Sequence, residues 1–457
     1  MNISLLIMAL CWAVVSPQLI QFLGEKPGRF ARQRYIHSRV QMAAKKLGFD
    51  ESIGGFESID FMARVDEHGY PAEEHTVTTK DGYKLRIHRI PGSPDKPKAP
   101  GKPVVYFQHG LFSSSDQWIL MGPESDFSYM LADAGYDVWL GNIRGNTYSR
   151  SHVKLSPDYD GEFWNFSYHE MALLDVTAVI DYILLKTQQP SLIYVGHSMG
   201  GAISTILLST KPEYNKKIKL AIGLAPAVFW YASPLPHAAK VVKINGEAIK
   251  EITSWKQHNI MSLKNFLVNA RIYELLPLSA ATSRLSKNAC KTKSIFFDYC
   301  LTVMSFVNGN NPRQLNSSIL PNVVTAFPAG ASRQTAFHFI QNMHLDGDKQ
   351  RTREFLMYDH GEKKNLKKYG KPEPPSYNLS NIVAPVALFY GLGDSLVGSG
   401  DVIELSKKLK NVVALVEVPD PNFGHMDFIM AQDVKSLLND RLLELVEDVT
   451  NNKITER

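Results

Sequence analysis

Three observations predict an α/β fold whose mostly parallel sheet is interrupted by a long, mainly helical insertion. Short apolar runs alternate with helix-length amphipathic segments up to residue 224. That alternation stops over 229–380, and strand character returns at 386–390 and 412–418. Helices that cover both faces of a parallel sheet give its strands continuous apolar runs, so the resumed pattern reads as one sheet entered twice.

The elements follow in chain order. Glu74-His-Thr-Val-Thr-Thr and Tyr83-Lys-Leu-Arg-Ile-His-Arg-Ile alternate apolar with polar side chains on either side of Asp81-Gly82, which predicts a β-hairpin. After a Pro/Gly/Lys loop at 91–103, Val104-Val-Tyr-Phe-Gln predicts a strand buried on both faces and ending at His109-Gly110. Asp126–Ala134 reads as a helix, Tyr136–Leu140 as a strand, and Tyr168–Leu185 as a longer helix with Met171, Leu174, Val179 and Ile183 in its apolar pattern. Leu192-Ile-Tyr-Val is a further strand, Ala202–Leu208 a helix and Lys219–Leu224 a strand. Residues 229–380, rich in aromatics, Asn, Lys and Pro, read as irregular helices and loops. Val386-Ala-Leu-Phe-Tyr and Val412–Val418 are strands, and Asp433–Val446 is the last helix. The core therefore divides into 61–228 and 381–457 around an insertion at 229–380.

The chain has 457 residues, 44% hydrophobic and 21% charged, which excludes disorder, collagen and coiled coil. A net charge of +5, with no dense Lys/Arg tract or nucleic-acid motif, gives no support to a nucleic-acid partner. Met1 to Leu23 carries no charge, and Ile3–Val15 followed by Ser16-Pro17 predicts a signal peptide over 1–16 or an uncleaved anchor. No later stretch is as long and uncharged, so no stable membrane span is expected after cleavage. Within the N-terminal segment 17–60, residues 29–49 form a basic amphipathic stretch. It reads as a pro-segment, a membrane-surface helix or a terminal helix packed on the body. Cys11 falls in the signal; Cys290 and Cys300 read equally as a disulfide or as two buried thiols. Sequons at Asn165, Asn316 and Asn378 fit a secretory-pathway glycoprotein.

The chemistry centres on Gly196-His197-Ser198-Met199-Gly200, placed between a strand and a helix. A serine on so sharp a turn needs glycines two positions either side, where strand and helix approach without Cβ clashes. Its hydroxyl is a poor nucleophile until a histidine takes the proton, and that imidazole needs a carboxylate to fix its tautomer. Asp394, in the loop after 386–390, is the expected acid; Asp401, Asp420 and Asp427 are rivals placed less well relative to a strand end. His425, in the loop after 412–418, is the expected base, ahead of His344 and His360. An oxyanion hole needs two amide hydrogens, expected from Met199 and from Leu111 in His109-Gly110-Leu111, with His109 bracing that loop. There is no H-E-x-x-H, C-x-x-C or Walker A motif, and neither a metal nor an organic cofactor is expected.

Six stretches carry a family resemblance. They are Thr79-Lys-Asp-Gly-Tyr, Phe107-Gln-His-Gly-Leu-Phe-Ser-Ser-Ser, Gly141-Asn-Ile-Arg-Gly-Asn-Thr-Tyr-Ser-Arg, Phe163-Trp-Asn-Phe-Ser-Tyr-His-Glu-Met-Ala, Gly196-His-Ser-Met-Gly and Asn422-Phe-Gly-His-Met-Asp-Phe-Ile. From about residue 60 to 432 the chain resembles the acid lipases, the α/β-hydrolases that include gastric and lysosomal acid lipases. The resemblance implies the α/β-hydrolase fold and a cap with a lid at 229–380. It assigns the catalytic serine, aspartate and histidine to Ser198, Asp394 and His425, and the oxyanion donors to Leu111 and Met199. The sequence departs from the family with Met199 for the usual Gln, Ile143 for Ser, and Val397-Gly398 where Leu-Ala-Asp is usual. Cys290 and Cys300 fall where the family has cap cysteines, at slightly different spacing. The implied protein is a secreted, or lysosomal, hydrolase of triacylglycerol or sterol esters at a lipid–water interface. An esterase for small soluble esters and a non-catalytic lipid-binding protein stand as alternatives. Phe229-Trp230-Tyr231, Phe296-Phe297, Phe327, Phe337 and Phe339 read as an acyl-channel lining or as the insertion's own core.

Overall fold

The computed structural model describes residues 60–232, 242–244, 247–249, 265–278, 280–298, 300–301, 304, 311–343 and 354–453. The expected signal peptide, Cys11, the amphipathic stretch 29–49 and His344 lie outside the described residues.

Eight strands form the central sheet: β1 (Glu73–Thr78), β2 (Lys84–Ile90), β3 (Val104–Gln108), β4 (Asp137–Leu140), β5 (Leu192–His197), β6 (Ile218–Leu224), β7 (Val386–Tyr390) and β8 (Val412–Glu417). Their order is β1-β2-β4-β3-β5-β6-β7-β8. The hairpin β1–β2 joins antiparallel to β4, and the strands from β4 to β8 run parallel. Burial follows position. β3 and β5 are buried at every residue, while the edge strands β1 and β8 keep exposed positions. This is why the central strands read as unbroken apolar runs and the hairpin as an alternating one.

The helices cover the sheet, and their ends are encoded locally. Asp60 caps α1 (Phe61–Glu67) by accepting from Met62 N–H, and α2 (Phe127–Ala134) stops at Gly135 with φ +100°. The expected helix 168–185 starts one residue after Ser167, in a capping box with Glu170. It differs from expectation in its middle: a wide π-helical turn, Met171–Val176, precedes α3 (Thr177–Thr187). The wide turn carries Asp175, which is buried against Arg144. α4 (Met199–Thr210) starts three residues earlier than the sequence predicts, directly at the serine turn.

β6 and β7 are parallel neighbours, with Ala221 beside Val386 and Leu224 beside Phe389, so the intervening chain leaves at the carboxyl edge of the sheet and returns at its amino edge. Among the described residues it holds α5 (Ala280–Ala289), α6 (Leu320–Ala326), α7 (Arg333–Asn342) and α8 (Glu362–Tyr369). It also holds two short strand pairs, Val242–Ile244 with Glu247–Ile249 and Glu274–Leu275 with Ala331–Ser332, which the sequence did not reveal. Cys290 and Cys300, just after α5, form a disulfide. Phe229, Trp230 and Phe339 belong to the packed core, with the Trp230 and Phe339 rings meeting edge-on at 5.6 Å, and Phe337 is buried. α9 (Ser399–Lys408), absent from the sequence reading, bridges β7 and β8, and α10 (Asp440–Thr450) closes the chain after a π-helical turn at Lys435–Asn439.

Candidate active site

Strand register decides what meets what. Gln108 pairs with Gly196, His197 with Leu224, Leu224 with Phe389, and Tyr390 with Glu417, so β3, β5, β7 and β8 all end along one edge. The segments that follow are His109-Gly110-Leu111, Ser198, Gly391-Leu-Gly-Asp394 and Pro419 to His425. In an open parallel sheet this carboxyl edge is where ligands bind.

Ser198 sits at φ +54° and ψ −114°, a conformation a residue with a Cβ adopts only under constraint. The constraint is visible. Its N–H donates to the Leu224 carbonyl at 2.9 Å, and its own carbonyl accepts from Gly201, Ala202 and Ala227 at 3.0, 3.2 and 3.1 Å. A Cβ on Gly200 would stand 2.2 Å from the Gln108 carbonyl oxygen, and one on Gly196 would stand 2.5 Å from the Gly200 carbonyl carbon. The glycine spacing in the motif is thus fixed by contact. Ser198 keeps partial exposure, whereas Asp394 and His425 are buried.

His425 Nδ1 lies 2.8 Å from Asp394 Oδ2. A carboxylate only accepts, so Nδ1 carries the proton and Nε2 keeps the basic lone pair. The other carboxylate oxygen, Oδ1, accepts the Leu396 and Val397 amides, each at 2.8 Å. Because backbone does the holding, Val397 in place of the usual family residue leaves this support intact. The rival acids have other partners. Asp401 accepts the Ala232 amide at 3.0 Å. Asp420 and Asp427 both accept from Asn311 Nδ2, at 3.2 and 2.9 Å, and Asp427 also accepts the Gly424 amide at 2.7 Å. The rival base His360 faces Lys368 Nζ at 3.1 Å.

The loop after β3 packs on the serine: a Cβ on Gly110 would be 3.3 Å from Ser198 Cβ. His109 sets the direction of its peptide. Nε2 receives the Ile143 N–H at 3.4 Å and the Asn146 amide at 3.2 Å, so the ring proton is on Nδ1, which donates to the Gly110 carbonyl at 2.8 Å. In a trans peptide the Leu111 N–H points opposite to that carbonyl, and pinning one aims the other. Burial pushes His109 down to about 4, which keeps Nε2 an acceptor. Ile143 serves through its backbone, so its side chain differing from the family's serine costs nothing here. Further along, Phe112 at φ +58° offers its carbonyl to Ala329 N–H of the insertion at 2.6 Å. Met199 is the first residue of α4, where amide hydrogens have no partner within the helix.

Nothing local in the sequence marks Asn311, whose partners Asp420 and Asp427 lie more than a hundred residues along the chain. Among the described residues no group of three or more His, Cys, Asp or Glu is placed to hold a metal ion, and no helix is long and apolar enough to cross a membrane.

Two family models match the chain: the partial α/β-hydrolase lipase region over residues 61–122 and the α/β-hydrolase fold over 103–246. Lipase 3 of Drosophila melanogaster is 37% identical over 390 residues, covering 85% of this chain and 93% of that protein. The chain belongs to the acid lipase family of α/β-hydrolases. Human gastric triacylglycerol lipase is 36% identical over 383 residues, with 83% of this chain and 89% of that protein covered. Human lysosomal acid lipase/cholesteryl ester hydrolase is 36% identical over 382 residues, with 83% and 88% covered. This acid lipase family member is accordingly an ester hydrolase of the lipase type.

Proposed function

We propose that this acid lipase hydrolyses carboxylic esters of neutral lipids, triacylglycerols or sterol esters, through an acyl-enzyme on Ser198. The ester carbonyl carbon takes the Ser198 oxygen while His425 Nε2 takes the hydroxyl proton. Asp394 holds Nδ1–H and stabilises the imidazolium. The Leu111 and Met199 amides receive the carbonyl oxygen as it becomes an oxyanion. His425 returns the proton to the leaving alcohol, and water then splits the acyl-enzyme by the same route, releasing a fatty acid. The observation that carries this reading is the Asp394–His425 pair at 2.8 Å, buried at the edge where Ser198 stands in a constrained turn. The substrate class is supported by the printed names of the two human relatives.

Residues 229–380 act as the cap over this site in our reading. The protein enters the secretory pathway and is released or kept in the lysosomal lumen. The uncharged N-terminus, the Cys290–Cys300 disulfide and the three sequons support that course. Asn165 and Asn378 are exposed and Asn316 is partly so. In Asn316 and Asn378 the amide oxygen accepts from the sequon serine hydroxyl at 2.7 Å.

The test is a panel of emulsified long-chain triacylglycerol, a sterol ester and a short soluble ester across pH 4 to 8. Wild type should hydrolyse the lipids, and Ser198→Ala should fall to background while staying folded. Hydrolysis of the soluble ester alone would remove the lipid assignment, and an active Ser198→Ala would remove the mechanism.

A further inference from the structure

The residue before the serine is where this structure says most that the proposed mechanism does not use. His197 ends β5, is 2% exposed, and contacts three segments of the site at once. It is peptide-bonded to Ser198. Its Nε2 lies 3.0 Å from the main-chain carbonyl of His425, and the two imidazole centroids are 4.8 Å apart at 43°. Its other nitrogen, Nδ1, has no hydrogen-bond partner and faces the loop after β3, where a Cβ on Gly110 would stand 3.3 Å away.

A carbonyl only accepts, so the His197 proton is on Nε2 and donates to His425. The bond ties the end of β5 to the loop after β8, elements 228 residues apart in sequence. We propose that His197 is a positioning residue, fixing the main chain of His425 so that its imidazole meets Ser198 and Asp394 together. This rests on the Ser198–His425–Asp394 reading above.

Two features separate this role from core filling. A residue chosen only for packing would not bury a ring nitrogen without a partner, since an unpaired buried polar atom is costly. The Nε2–H donor accounts for keeping an imidazole there. Second, the ring must be neutral, because a cation here would oppose the imidazolium that forms on His425. Burial, reinforced by the nearby His425 and His109, holds His197 well below its ordinary value.

The experiment compares wild type with His197→Phe, His197→Gln and His197→Asn on a soluble butyrate ester, together with the rate of labelling by a fluorophosphonate. Phe fills the space without the donor. Gln carries an amide at about the reach of Nε2, and Asn is one methylene short. Phe should lower kcat and the labelling rate by about tenfold or more with little change in KM, the signature of a misplaced base. Gln should recover most of both. If His197→Phe does not fold, the polar pair decides, with Gln about tenfold faster than Asn. Wild-type rates in a folded His197→Phe, or equal rates in Gln and Asn, would overturn the proposal. Ser198→Ala in the same assay keeps the two readings apart. Activity there sinks the underlying mechanism, whereas a dead Ser198→Ala beside unaffected His197 variants sinks only the positioning role.

Discussion

Asp394 does two jobs with its two oxygens, and the structure separates them. Oδ2 orients His425, and Oδ1 is anchored by the Leu396 and Val397 amides. Asp394→Asn replaces one oxygen with an amide nitrogen. If the NH2 faces His425, it demands an acceptor there and drives the imidazole to the wrong tautomer; if it faces the two amides, donors meet donors. We expect kcat to drop by roughly 10³- to 10⁴-fold with folding retained, measured on a soluble ester beside a thermal melt. A loss below about tenfold would mean another group orients the ring. The residues proposed for chemistry were legible in the sequence because each follows a strand: the motif named Ser198, and strand ends ranked Asp394 and His425 above their rivals. What holds them in place was not legible. Asn311 meets Asp420 and Asp427 more than a hundred positions away, and His109 meets Asn146 through a sheet crossing. No local pattern encodes such pairs; only the finished packing does.

Between elements, the same contrast has a physical cause. Strands and helix starts answer to neighbours in sequence, so β3, β7 and the helix start at Tyr168 were readable. The π-helical turn at Met171–Val176 was not, because a helix with one wide turn keeps nearly the same apolar pattern. Three of the quoted family stretches meet one another at this scale. Arg144 is buried between Asp175, at 2.6 Å, and Asp81, at 2.6 Å, with its guanidinium 3.9 Å above the Tyr83 ring, and the Tyr83 hydroxyl donates to the Phe163 carbonyl. These contacts knot together the hairpin, the loop after β4 and the segment before α3. The loop bearing His425 is tied instead to the insertion, through Asn311. Asn311→Asp removes the donor and sets a third carboxyl beside Asp420 and Asp427. Repulsion is strongest when all three are ionised and eases when they share a proton. We expect kcat on a soluble ester to fall by about tenfold at pH 7 and by clearly less at pH 5. An equal loss at both would show that the clamp works by shape rather than charge.

Over the whole molecule, buried titratable groups pull stability in opposite directions as pH changes. Burial pushes His338 down to about 3 and His109 to about 4. Each stays neutral in the folded chain while the unfolded chain binds a proton below about 6.5, so each makes stability fall as pH drops from 6.5 toward its folded value. Asp116 acts the other way. Burial raises it to about 7 against the hydrogen bonds from Tyr148 and Ser114, so its contribution is full below the ordinary Asp value and is lost as pH rises toward 7. Every such group tilts the stability curve by about 1.4 kcal/mol per pH unit within its window, and the windows overlap between roughly pH 4 and 6.5. His338→Gln keeps a donor for the Leu356 carbonyl but removes one proton from the balance; Asp116→Asn keeps the shape and removes the opposing one. Urea unfolding at pH 4.5, 5.5 and 6.5 should therefore show the curve of His338→Gln tilted away from wild type in one sense. Asp116→Asn should tilt in the other, by about 1.4 kcal/mol per unit each, whatever either substitution costs at pH 7. Parallel curves for all three proteins would mean that these side chains titrate alike in the folded and unfolded chain, and that burial does not govern how this protein tolerates acid.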